Sequence, residues 1–155
     1  MFAKLMVICG LSLLTSALHA EQVRVGGWQL QTGGLSYHIP RGHEFNEVNL
    51  GLGLEYRWTE HTAVSFGFFR NSNNRNSRYV LAQYHPWEFN GVRFGVTGGI
   101  VNGYSGLRNG KFGPIAMPSF SVQWKHAGIN VAIVPPTKIN SAAFFVGIKI
   151  PIPIN

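Results

Sequence analysis

The sequence predicts an all-β fold, an eight-stranded antiparallel transmembrane β-barrel, and three observations carry that expectation. Apolar residues recur at every second position in segments of about ten residues separated by turn signals. The segments number eight, the smallest count that closes an outer-membrane barrel. With 19 glycines and 8 prolines in 155 residues, and no 3.6-residue apolar stripe or long apolar run, helices are disfavoured.

Taken in chain order, the expected strands span 23–38, 46–58, 62–69, 78–85, 91–101, 115–124, 128–134 and 142–150. The second is the clearest. In "NLGLGLEYRW", Leu50, Leu52, Leu54, Tyr56 and Trp58 alternate with Asn49, Gly51, Gly53, Glu55 and Arg57, so one face suits lipid and the other a narrow, filled interior. The third sets Val64, Phe66 and Phe68 against Ser65 and Gly67. The fifth sets Val92, Phe94 and Val96 against Arg93, Gly95 and Thr97. The seventh alternates around Ile129, Val131 and Ile133, and the eighth sets Phe144, Val146, Ile148 and Ile150 against Gly147 and Lys149. Short connections are expected at 59–61, 86–90 and 125–127, and the tryptophans beside them, Trp58, Trp87 and Trp124, form a girdle at one membrane interface.

The first twenty residues, "MFAKLMVICGLSLLTSALHA", have the layout of a secretory signal peptide, with Lys4, an apolar stretch and a small residue before Glu21. The expected organisation is a signal peptide over 1–20 and a barrel over 21–155, destined for the outer membrane of a Gram-negative bacterium. Cys9 is the one cysteine, so the exported part has no disulfide. With the N-terminus inside and eight strands, the connections at 38–45, 70–77, 102–113 and 135–141 lie on the cell surface.

That topology gathers on one rim residues that the sequence keeps apart: His38 and His43 after the first strand, and Asn71, Ser72 and Ser77 after the third. A histidine and a serine are the raw material of acyl transfer, because imidazole takes the proton from a hydroxyl attacking an ester. The chain has no aspartate, so the group orienting the histidine is Asn71, Glu44 or Glu47. Arg41, Arg70, Arg75, Arg78, Arg108, Lys111 and Lys138 fall on the same rim or its edges, a basic surface suited to phosphorylated lipid. His61, His85 and His126 fall near the opposite turns without ligand spacing. No metal, cofactor or nucleic-acid partner is expected, and the barrel is expected to be monomeric.

Several of these pieces resemble the outer-membrane lipid A palmitoyltransferase family. "YHIP" followed by "FNEVNLGLGL", then "FFRNSNN", "PIAMPSFSVQW" and "VAIVPPTKINSAAFFVGIKI" are similar to that family's elements in order and spacing, from about Tyr37 to Ile150. The resemblance implies transfer of a fatty acyl chain from a phospholipid donor to lipid A as acceptor. It places the family histidine on His38 and the family serine on Ser72, with Asn71 where the family has an acid. The basic rim itself offers Arg41, Arg70, Arg75 and Arg108 as substrate-binding residues, and the resemblance implies Pro118 and Pro135 as a lateral gate, since proline donates nothing to a strand ladder. A family glycine at the floor of the acyl pocket aligns near Gln83 or His85, both larger. On this reading Asn71→Asp is expected to raise activity. The competing reading is a non-catalytic small barrel serving surface interaction or membrane integrity.

Overall fold

The computed structural model describes residues 25–39, 45–136 and 142–153. The expected signal peptide lies outside these residues, as do Arg41, His43, Glu44 and Lys138. Eight strands are formed among them: β1 (Trp28–Ile39), β2 (Val48–Arg57), β3 (Thr62–Arg70), β4 (Asn76–Phe89), β5 (Val92–Val101), β6 (Gly113–Gln123), β7 (Gly128–Val134) and β8 (Ala142–Pro151). Each pairs antiparallel with its chain neighbour, and β1 pairs with β8, which closes the barrel.

The expected strands agree with the observed ones to within a few residues, except at β4. The sequence places a turn at 86–90, whereas β4 runs on through Pro86 to Phe89. A bulge between Tyr84 and Trp87 absorbs the proline. The chain then reverses at Asn90 and Gly91, both at positive φ (49° and 76°), as a two-residue hairpin turn requires.

Burial is inverted relative to a water-soluble protein. Leu50 is 72% exposed and Phe89 71%, while Glu55 and Lys149 inside the barrel are 0% and 1% exposed. Apolar side chains on the outside and ions within make physical sense only where the surroundings are apolar. No helix among the described residues is long and apolar enough to cross a membrane; the strands are the elements suited to do so.

Aromatic residues band the end with the short turns. Trp28 packs on Tyr56 with ring centroids 4.9 Å apart, Tyr56 on Trp58 at 6.3 Å, and Trp87 stacks on Phe94 at 5.8 Å. Trp58 and Trp87 are exposed there, as an interfacial girdle is.

In β1 the register shifts against both neighbours around Thr32 to Gly34. Gln29 is buried before the shift, Ser36 and His38 after it. One extra residue reverses the parity of the strand, so even-numbered side chains beyond it point inward. Gly33 and Gly34 allow this, because a Cβ on Gly33 would overlap the Asn49 carbonyl and one on Gly34 the Val146 carbonyl. Without the bulge His38 would face lipid.

Candidate functional site

The turn-end half of the barrel is filled by a charged network. Glu55 on β2 receives Arg57 at 3.0 Å and Lys149 of β8 at 3.1 Å. It also accepts hydrogen bonds from Gln31 (2.7 Å) and Gln83 (2.8 Å). Lys149 donates further to Ser121 Oγ at 3.2 Å, and the Tyr79 hydroxyl to Gln31 at 2.9 Å. Tyr79 finds room because Gly53 and Gly67 lie opposite its hydroxyl. His85, expected near a turn, points into the barrel with Nε2 2.8 Å from Ser119 Oγ, itself 2.7 Å from Thr97. Arg57 and Arg93 both donate to the Glu60 carbonyl in the β2–β3 turn. Glu55, Arg57 and Lys149 persist in the interior because each has an opposite charge beside it.

Above this plug the barrel holds a cavity of about 990 Å³. Its wall is largely apolar, with Phe69, Leu81, Val101, Met117 and Phe145 among the lining residues, and Gln83, Thr97, Ser119 and Lys149 also line it. Gln83, in the region where the resemblance puts a glycine, therefore belongs to both the cavity and the charged plug.

Ser36, His38 and Ser72 lie in the wall of this cavity. Ser36 Oγ and Ser72 Oγ are 3.4 Å apart. The His38 ring stacks on Phe45 at 4.1 Å and 19°, and its Nδ1 is buried without a hydrogen-bond partner. Glu47 is the carboxylate whose field reaches the imidazole, and its backbone carbonyl accepts from Ser36 N at 2.8 Å. Of the orienting groups left open by the sequence, Glu44 lies outside the described residues, and Glu47 is the carboxylate among the described residues whose charge acts on His38.

Asn71 is occupied elsewhere. Its Nδ2 donates to Ser77 Oγ at 2.9 Å and to the Gly103 carbonyl at 3.0 Å, and its Oδ1 accepts from the backbone of Asn73 (2.9 Å) and Arg75 (3.0 Å). Both amide protons and both carbonyl lone pairs are used, so no bond to His38 remains for it. Ser77, fully buried, belongs to the same cluster.

The β6–β7 seam is open towards the loop end. Pairing runs only from Gln123↔Gly128 to Ser119↔Ala132 and stops at Pro118, although β6 itself pairs with β5 out to Gly113. Met117, Ala116, Val131 and Pro135 line the cavity at this seam, so the interior reaches the barrel wall where Pro118 and Pro135 stand.

Arg70, Arg75, Arg78 and Arg108 are all exposed around the loop-end rim. Among the described residues no cluster of three or more histidine, cysteine or acidic side chains is arranged to hold a metal. Sequence reasoning missed Ser36, because the β1 bulge hides which face it occupies, and read Tyr104 as a surface-loop residue for the non-catalytic barrel, whereas it folds into the cavity from the β5–β6 loop. Burial pushes the Tyr104 phenol up to about 12.

No protein-family model and no curated protein matches the chain. Among solved structures it is similar to the N-terminal β-barrel domain of Pseudomonas aeruginosa OprF, with a TM-score of 0.50 and 10% identity, covering 83% of this chain and 98% of that one. At that identity the likeness is one of fold: this chain is a closed barrel of the outer-membrane type.

Proposed function

We propose that this barrel resides in the outer membrane of a Gram-negative bacterium and transfers a fatty acyl chain from an outer-leaflet phospholipid to lipid A or a related lipid. The observation that carries the reading is an apolar cavity with Ser36, His38 and Ser72 in its wall and a β6–β7 ladder that ends at Ser119↔Ala132 beside it. An acyl chain needs a dry apolar slot, and a transferase needs a base and a hydroxyl beside the ester.

In this reading the acyl chain slides between β6 and β7 and lies against Met117 and Phe145. His38 is the base, Ser72 is the hydroxyl that hands it a proton, and Glu47 orients the imidazole. The acceptor's hydroxyl oxygen attacks the donor's ester carbonyl carbon and gives its proton to Ser72 as Ser72 hands its own to His38. The new ester bond forms, the old ester C–O bond breaks, and His38 returns the proton to the departing lyso-lipid oxygen. The exposed arginines clamp phosphates of donor and acceptor. In this reading the barrel works as a monomer.

The non-catalytic reading rests on the charged plug, which stabilises a small barrel whether or not it performs chemistry. Purified barrel incubated with phospholipid and lipid A in detergent micelles separates the two. Acylated lipid A that disappears with His38→Ala supports transfer, and its absence with folded wild-type protein supports the structural role.

A further inference from the structure

We propose that the β5–β6 loop is a latched lid over the outer mouth of the cavity, and that the side-chain amide of Asn71 is the latch. The loop folds inward: Tyr104, Ser105, Gly106 and Leu107 line the cavity, and the Tyr104 ring sits 6.5 Å from that of Phe69. Leu107 packs over Gly113, where an added Cβ would meet its side chain at 2.6 Å.

The flap is stiff. Gly103 N donates to the Gly110 carbonyl, and Leu107 N and Gly110 N both donate to the Tyr104 carbonyl, each at 3.0 Å. Arg108, Asn109 and Gly110 are all at positive φ, a compact turn with little freedom.

One contact joins this flap to the β3–β4 turn through a side chain suited to it. Asn71 uses its carbonyl oxygen to shape its own turn, through Asn73 and Arg75, and its amide protons to hold Ser77 and the Gly103 carbonyl of the lid. Gly103 is at φ 87°, and a Cβ there would meet Ser77 Oγ at 2.5 Å and the Asn76 carbonyl at 2.7 Å, so lid and latch fit closely. An aspartate at position 71 keeps the acceptor half and loses the donor half. It preserves the turn and sets a carboxylate against a carbonyl. This explains why an amide stands where the resemblance has an acid: closing the mouth against water requires a donor. The lid does not depend on acyl transfer, since it needs only a cavity that is kept dry.

The test is access from water. A cysteine at Leu81, in the cavity wall, is introduced into the full chain carrying Cys9→Ser and labelled on intact cells with a membrane-impermeant maleimide, with an exposed Lys111→Cys chain as reference. The Leu81 cysteine is expected to label at least about tenfold more slowly than the reference. Asn71→Asp is expected to speed it by roughly tenfold or more, as loss of two hydrogen bonds implies, and Leu107→Ser, which leaves the latch intact, to speed it as well. Folding is verified by the heat-dependent gel mobility of the barrel. Leu81 labelling as fast as the reference overturns the lid, as does an unchanged rate in Leu107→Ser. An unchanged rate in Asn71→Asp overturns the latch. Should that variant not fold, Gly103→Ala, which displaces the same carbonyl from the amide, reads the latch in its place.

Discussion

Ser36 Oγ and Ser72 Oγ lie 3.4 Å apart although 36 residues separate them in the chain. The β1 bulge turns Ser36 and His38 inward, and the β3–β4 turn brings Ser72 to meet them. On the acyl-transfer reading, His38→Ala and Ser72→Ala each lower turnover by about 10²–10⁴-fold, the usual weight of a positioned proton-transfer group. Ser36→Ala lowers it less, because Ser36 touches Ser72 and acts through it. All three variants are expected to keep the barrel's unfolding midpoint in urea, since none touches the charged plug. Equal turnover in Ser72→Ala would remove it from the mechanism.

The Glu55–Lys149 pair joins β2 to β8 through the middle of the barrel. Lys149→Met leaves Glu55 paired with Arg57 but removes the Lys149 bonds to Glu55 and Ser121, and a cost of about 1–3 kcal/mol is expected for the buried acceptors left unmet. Adding Glu55→Gln deepens the loss, because the buried Arg57 guanidinium then has no carboxylate beside it. Denaturant titration of the two variants measures the difference. A single variant as stable as the parent would mean that water screens the network.

Gln83 lines the cavity and donates to Glu55. Gln83→Gly deepens the slot and is expected to shift acyl preference towards longer chains in a competition between phospholipids. Stability falls by about 1–3 kcal/mol, because Glu55 loses a buried donor. An unchanged chain preference would place the end of the acyl chain elsewhere.

The β6–β7 ladder ends at Ser119↔Ala132. Continued outward in the same register, Met117 would face Val134. A Met117→Cys, Val134→Cys pair that oxidises staples the seam, and transfer is expected to stop on oxidation and return on reduction. Activity that persists with the staple formed would direct the lipid to another route.

The eight strands were legible because period-2 alternation survives wherever lipid meets one face and a packed interior the other. The second-strand alternation already placed Glu55 and Arg57 inside, and the eighth placed Lys149 there. Their meeting across the barrel depends on closure and stagger, which no local pattern encodes. Three features escaped for distinct reasons. The bulge at Thr32 to Gly34 inverts the parity of β1, so the side of His38 and Ser36 was not readable. Pro86 reads as a turn but sits at a bulge, while the Asn90–Gly91 pair four residues on is the true reversal. Asn71 was set beside His38 from a likeness in sequence order, and its hydrogen bonds show that the amide serves its own turn and the β5–β6 loop. Whether Asn71→Asp raises activity is a question for a transfer assay, and the same substitution is expected to loosen the β5–β6 loop, because an aspartate cannot donate to the Gly103 carbonyl.

The most direct test of acyl transfer is mass spectrometry of lipid A from Gram-negative cells expressing the parent chain or His38→Ala, with outer-membrane folding verified for both. A lipid A species heavier by one acyl group in the parent, and missing with His38→Ala, is the expected result. Identical lipid A from both strains would contradict lipid A as the acceptor and favour the non-catalytic barrel.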